Sequence, residues 1–458
     1  MENTVLSIAD RFNTWVANSI IIKLLSIGFL ILILLIPSAW IESLIAERQL
    51  RAEDVIHEIS DKWSGEQTLL GPVLVIPFTK IEKVKTTKNN VQVEEIFESD
   101  HRAYFLPEQL QVNSKLTPQV LHRGIFDAVV YDSKTSLTTT FAEPDFSKWN
   151  IPDAQVHWKE AMLLTGISDL RGISENPVIK SEEKSFVSEP SGDLGLSTTD
   201  TPRVSGITTA LGWSTRSDFR PAYSMTLQLK GSDLIHYVPT GKTTEVKASG
   251  AWASPSFDGM MLPANRSVND NDFSATWKLL SFNRPFSQQW IDHEQSLQGS
   301  EFGVRLLIPA DQYQKSIRTA KYGVLVIILA FMALFLVELT AKIRIHPFQY
   351  ILIGVALTIY YTLLLSFSEH LGYNVAYIVA SACTVVLLAL YSTTFLKQRS
   401  LVILFTFLMS IFYSFIFVII QAEDYSLLIG SIGLFSIIAS VMYFSRNIRW
   451  YKETQSLQ

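Results

Sequence analysis

Glu369 and His370 stand side by side in the stretch Ser368-Glu369-His370-Leu371-Gly372, between two long apolar runs. A carboxylate beside an imidazole at a membrane surface can relay a proton or help to hold a cation. The same pair would serve equally as the solvated cap of a helix end in a tight turn. A metal site needs three or four ligands with supporting hydrogen bonds. One further acid pair, Glu423-Asp424, falls on the same side of the membrane in the threading given below, and two adjacent residues do not make a metal site. His346-Pro347 opens an apolar run at its other end. Proline costs little there because the N–H it lacks would be unpaired at a helix start, and the histidine beside it can titrate near neutral pH or simply be solvated. Glu338 lies four residues before Lys342, a spacing that favours an ordinary interfacial ion pair over a transport carboxylate.

Other chemistry is not signalled. There is no Gly-x-Ser-x-Gly, His-Glu-x-x-His, P-loop or dinucleotide fingerprint, so neither catalysis nor a cofactor is expected. The net charge of −5 gives no electrostatic case for nucleic acid as a partner. The single cysteine, Cys383, makes a disulfide within the chain impossible. A transporter usually buries charged groups along a pathway or breaks its helices with glycine and proline at mid-depth. The apolar runs here show neither pattern.

The elements that carry these residues follow from hydropathy. About twenty apolar residues match a hydrocarbon core of about 30 Å. Six runs qualify: 19–41, 322–340, 348–367, 373–396, 401–421 and 425–445. The first could be a signal peptide, but it is longer than a usual apolar core and Pro37-Ser38-Ala39 is a poor cleavage site, so it reads as a retained anchor. Lys and Arg gather at one set of ends: Arg11 and Lys23, Lys342 and Arg344, Lys397 and Arg399, then Arg446, Arg449 and Lys452. The opposite short loops, at Glu369-His370 and Ala422-Glu423-Asp424, have none. The positive-inside rule then puts both termini (1–18 and 446–458) in the cytoplasm and segment 42–321 outside. Trp40 and Trp450 sit at span ends, where indole favours the interface.

Segment 42–321 reads as a soluble β-rich, sandwich-like domain with a helix entering it over 42–63 and another leaving over 312–321. Candidate strands are 72–78, 103–106, 124–131, 136–141, 222–230 and 271–280, by alternation and by β-branched or aromatic content. Segment 175–201, rich in Ser, Glu, Pro and Gly, reads as a mobile loop or insertion. Seven tryptophans between Trp63 and Trp290 could form a carbohydrate platform or simply fill a core that has no disulfide. Ala376 with Ala380, and Ser426 with Gly430, have the spacing of close helix contacts.

Several segments together resemble one family. They are Arg344–Gly354 (RIHPFQYILIG), Leu363–His370 with Gly372-Tyr373, Trp63–Pro77 (WSGEQTLLGPVLVIP), and Trp252–Pro263 with Phe273–Trp277. Phe302–Tyr322 and Gln421–Arg446 agree, whereas 175–201 carries no likeness. The chain resembles the CreD family of bacterial inner-membrane proteins. That resemblance implies a role in cell-envelope integrity, with links to colicin tolerance and β-lactam response under a sensor-kinase and response-regulator system. It supplies no catalytic residues. The expected architecture is a six-span α-helical bundle with a β-rich periplasmic domain between spans one and two. Its partners are the lipid bilayer and an envelope protein or component, and its candidate functional residues are Glu369, His370, His346 and Tyr350. A transporter or lipid-handling protein is the alternative.

Overall fold

The structure is a computed structural model that describes residues 20–88, 91–196, 204–292, 295–297, 299–308, 312–341, 343–422 and 425–446. Both termini, Lys342, Glu423, Asp424 and Trp450 lie outside the described residues. The chain divides into two compact units, Asp54–Pro309 and the remainder.

The apolar runs become helices. Helix α1 spans Ile20–Trp63, so the first span and the following amphipathic stretch are one element of 44 residues. After the β domain come α2 (Gln312–Lys321), α3 (Gly323–Ala341), α4 (Pro347–Leu371), α5 (Tyr373–Ser392), α6 (Arg399–Gln421) and α7 (Ser426–Ser445). Six helices among the described residues are long and apolar enough to cross a membrane, one before the β domain and five after it. Helix α4 continues through Ser368–Leu371, which the sequence placed in a turn; the break falls at Gly372, whose φ of 73° only glycine adopts cheaply. Ala376 and Ala380 are fully buried. On α7 the close approach among the glycines is made by Gly433, against the Phe415 ring, rather than by Gly430.

The β domain starts with β1 (Gln67–Lys88), β2 (Val91–Phe105), β3 (Gln109–Arg123), β4 (Phe126–Thr140) and β5 (Met162–Ile167). It continues with β6 (Val178–Ser181), β7 (Lys184–Val187), β8 (Glu189–Ser191), β9 (Gly206–Ala210), β10 (Ala222–Ser232) and β11 (Leu234–Val238). It closes with β12 (Thr243–Gly250), β13 (Pro255–Gly259), β14 (Asn265–Val268), β15 (Phe273–Leu280), β16 (Gln289–Ile291) and β17 (Phe302–Leu306). One sheet runs β13-β17-β11-β1-β5-β9-β8, with β2 on β1 and β16 on β2; the other runs β14-β15-β12-β3-β4-β10-β6-β7.

The patterns of the strands decide which faces are covered. In β1 the run Pro72–Phe78 is apolar at nearly every position, and such a strand must be buried on both faces. Leu74, Ile76 and Phe78 join the core shared by the two sheets. Val73 and Val75 face the other way, into a second core with Leu194, Leu196, Phe286 and Trp290. The central strands of the second sheet alternate over most of their length, as in β3, where Leu110, Val112, Ser114 and Leu116 face inward and the residues between them are exposed. That sheet therefore has one dry face and one wet face.

Two expectations change. The candidates at 124–131 and 136–141 fall on one continuous strand, β4 (Phe126–Thr140), preceded by a tight turn at Gly124. Its middle, Asp132–Thr135, looks like a turn because it lacks apolar side chains, yet Ser133 and Thr135 point into the core. There the Thr135 hydroxyl lies 2.7 Å from that of Ser133 and 2.6 Å from that of Ser114, so hydroxyls satisfy one another where aliphatic groups would otherwise sit. Segment 175–201, read as a loop, holds β6, β7 and β8 up to Ser191. Pairing at sheet edges supplies the backbone bonds, and Ile179, Leu194 and Leu196 are each buried, so few apolar residues suffice. Residues 197–201 lie outside the described ones. Most of the tryptophans are core rather than platform: Trp158, Trp213, Trp277 and Trp290 are buried, and Trp149 and Trp252 pack half-buried against the core.

Candidate functional site

The four candidate residues do not assemble. All lie on or at the start of α4, but nineteen residues separate Tyr350 from Glu369, about 28 Å at about 1.5 Å per residue. His346 is the N-cap: its Nδ1 accepts the Phe348 N–H at 3.2 Å and its own N–H donates to Gln349 Oε1 at 2.9 Å. Those bonds satisfy amide groups that a helix start leaves open, which is a structural task. Glu369 accepts a hydrogen bond from the Tyr313 hydroxyl of α2 at 3.3 Å, while His370 is exposed. Consecutive helix positions point about 100° apart and do not face each other, so the pair cannot close on one ion.

The polar centre of the bundle is built around Glu338, which pairs with a residue far from it in sequence. Glu338 is 6 % exposed on α3. It forms an ion pair with Lys23 of α1, accepts the Ile345 N–H at 3.1 Å and accepts the Tyr350 hydroxyl at 3.3 Å. Lys23 also reaches the Ile345 carbonyl at 3.4 Å. The expected partner Lys342 lies outside the described residues. Lys23 stands one turn before a narrow stripe of α1 in which Ile27, Leu34, Ser38, Ile45 and Ala52 are buried, at near-heptad spacing. Leu34 lies against Gly354 of α4, where a Cβ would come within 2.2 Å of it. The cluster thus pins α1, which buries little else, to α3 and α4 at one end.

A second polar group lies among α2, α4, α5 and α6. The Tyr360 ring lies 4.8 Å from that of Tyr361, 6.0 Å from that of Tyr377 and 4.6 Å from that of Tyr413. The Tyr377 hydroxyl donates to the Tyr413 carbonyl at 2.7 Å, and the hydroxyls of Thr319 and Tyr373 are 2.6 Å apart. Beside them a crevice of about 510 Å³ opens between α5 and α6, lined by Tyr377, Ser381, Ser410, Tyr413 and Ser414.

The family description "Inner membrane protein CreD" matches residues 19–451. The inner membrane protein CreD of Escherichia coli (strain K12) is 31 % identical over 438 residues, covering 94 % of this chain and 93 % of that protein. The chain belongs to the CreD family. It is accordingly an inner membrane protein with several membrane-spanning helices, and the description carries no catalytic activity with it.

Two further groups in this CreD-family protein were not visible in the sequence. The first closes the β domain onto the last turn of α1. Asp169 holds Arg171 through both carboxylate oxygens, at 2.9 and 2.7 Å, and accepts the Gly65 N–H at 2.9 Å. Arg171 donates to the Asp61 carbonyl at 2.7 Å. Gln67, fully buried, donates to Ser64 Oγ and to the carbonyls of Asp169 and Lys230 at 2.9–3.0 Å. Burial alone would raise the Asp169 carboxyl, but the bonds from Arg171 and from the N–H groups of Gly65 and Arg171 outweigh it and hold the carboxyl at about 2.

The second runs along β2. Asp292, in a left-handed backbone conformation (φ 53°), accepts the Arg102 N–H and lies 2.6 Å from His101 Nδ1; His101 Nε2 lies 2.8 Å from Ser99 Oγ. The order of groups is that of an acyl-transfer relay, with Nδ1–H on the carboxylate and Nε2 accepting the hydroxyl. Ser99, however, sits on an open strand surface, and Asp292 also donates its N–H to the Arg102 carbonyl at 2.8 Å. We read the group as a tether for the turn at Asp292. A fluorophosphonate probe should therefore leave Ser99 unmodified in the full-length protein, as read by peptide mass spectrometry. Labelling that disappears with His101→Ala would overturn the tether reading.

Proposed function

We propose that this CreD-family protein is a non-enzymatic support of the bacterial cell envelope, whose β domain lies in the periplasm and binds an envelope partner. The observation that carries this reading is α1. One uninterrupted helix contains the apolar first span and, at its last turn, the hydrogen bonds that close the β domain. The orientation rests on charge. Lys23, Arg344, Lys397, Arg399 and Arg446 lie at one set of helix ends, which the positive-inside rule assigns to the cytoplasm.

The test is envelope permeability to a dye in a strain lacking the protein, complemented at matched membrane abundance. The wild type and a Glu369→Ala/His370→Ala double variant should restore exclusion. A form lacking 64–300 should not. Failure of the double variant at normal abundance would move the activity to the α4–α5 turn, and restoration by the deletion would remove the β domain from it.

A second reading, transport or lipid handling, is favoured by the hydroxyl-lined crevice between α5 and α6. On that reading Tyr377→Phe with Ser381→Ala would abolish complementation while the β domain is intact. On the leading one the pair is tolerated.

A further inference from the structure

We infer that the wet face of the second sheet binds an acidic, carboxylate-bearing glycan strand through Lys115, Lys134 and Lys247. The inference rests on the proposal above for the side of the membrane that the domain occupies, and it gives the envelope partner a chemistry.

Strand registers place outward side chains in straight rows across six strands. One row reads Ser267, Ser274, Ser249, Lys115, Lys134, Gln228. The next reads Asn265, Thr276, Lys247, Asn113, Ser136, Thr226. Strands are about 4.8 Å apart and same-face residues about 6.8 Å along each strand, so the two rows make a flat plate about 24 Å long. A groove of about 520 Å³ runs over it, lined in part by Lys115, Lys134, Lys247, Ser136 and Thr276.

Lys115 and Lys134 are direct register partners, both exposed, and neither has an ion-pair partner among the described residues. Like charges directly opposite on neighbouring strands destabilise a sheet. These two side chains face away from the core, so packing does not require them. Lys247, one row away, is tied to Glu245 at 2.9 Å, leaving the centre of the plate cationic. The site is built for an anion.

The surroundings select the kind of anion. Hydroxyls and amides flank the lysines on both sides at regular spacing, which suits a ligand that offers many hydroxyls along its length. A neutral glycan would call for exposed aromatic rings, and a membrane surface for apolar or aromatic side chains that enter the interface. Neither row contains one. A linear glycan carrying carboxylates matches both the cations and the hydroxyls.

The experiment uses the full chain in zwitterionic nanodiscs and fluorescent polygalacturonate oligomers as the probe. Dextran is the uncharged control, and phosphatidylglycerol vesicles are the anionic membrane arm. Lys115→Gln/Lys134→Gln should weaken polygalacturonate binding about tenfold at low salt, and raising the salt should weaken wild-type binding by a similar factor. At about 0.1 M salt, where the Debye length is about 10 Å, Lys278→Gln, two rows from the pair, should weaken it by less than about twofold. The double variant should melt no lower than the wild type, since a repulsion has been removed.

Equal binding by the double variant and the wild type would overturn the site. Binding to dextran as tight as to polygalacturonate would overturn the acidic ligand. Binding to the vesicles but not to polygalacturonate would overturn the glycan in favour of a membrane. If binding needs the lysine pair yet the double variant restores dye exclusion fully, the glycan site stands and the envelope reading fails. Loss of both supports both.

Discussion

Lys23→Leu should destabilise the helical unit by about 3–5 kcal/mol, the cost of leaving one partner of a buried ion pair uncompensated. The effect is asymmetric for a structural reason. Removing Lys23 strands the Glu338 carboxylate, 7 % exposed at its side chain, with only the Ile345 N–H and the Tyr350 hydroxyl. Removing Glu338 leaves a lysine that is 28 % exposed and long enough to carry its ammonium to the interface, so Glu338→Leu should cost less, about 1–2 kcal/mol. The double Leu variant should lie nearer the wild type than Lys23→Leu does, since both charges leave a low-dielectric site together. Helical circular dichroism during thermal unfolding in detergent gives the three differences. A Lys23→Leu protein as stable as the wild type would sink the assignment of the pair as the pin of α1.

Asp169→Ala should cost the β domain about 2–3 kcal/mol at about pH 7, because it removes a bidentate charge-assisted pair and leaves the Gly65 N–H without its acceptor. Tryptophan fluorescence during denaturant unfolding of the full-length protein reads this, since seven of the ten tryptophans lie between Trp63 and Trp290. The pH dependence carries a sign. In the folded protein the carboxyl is held at about 2, below its ordinary 3.8. The group therefore contributes stability fully above about 3.8, and that contribution is lost as the pH falls from there toward 2. Because Arg171 is well exposed, the acid-sensitive part should be only about 1–2 kcal/mol. The gap between wild type and Asp169→Asn should thus narrow at about pH 3. A gap that stays constant from neutral to acid pH would show that the carboxylate charge plays no part.

What the sequence determined by itself is set by one-dimensional physics. The six spans, the place of the β-rich segment between the first and second, and the family likeness follow from runs of about twenty apolar residues and from local motifs. Such runs have one low-energy solution in a bilayer, where every backbone polar group must be satisfied within its own helix. The strand at Pro72–Phe78 was readable for the same reason: a continuous apolar run has to be buried. The register of β4 was not, because Asp132–Thr135 looks polar until Ser114 on β3 comes alongside and pairs with Thr135.

The polar clusters depended wholly on tertiary structure. Lys23 and Glu338 are 315 positions apart, and no spacing rule links them; spacing pointed to the nearer Lys342, which lies outside the described residues. Asp169 reaches Gly65 across 104 positions, and Asp292 reaches His101 across 191. Glu369-His370 shows the converse: the two are adjacent in sequence, and the helix turns their side chains apart. The row of lysines and hydroxyls on the second sheet likewise exists only through register, because Lys115, Lys134 and Lys247 meet when β12, β3 and β4 lie side by side. Apolar burial is additive along the chain and can be read from it, whereas a polar site is a coincidence of distant residues that only the closed fold creates.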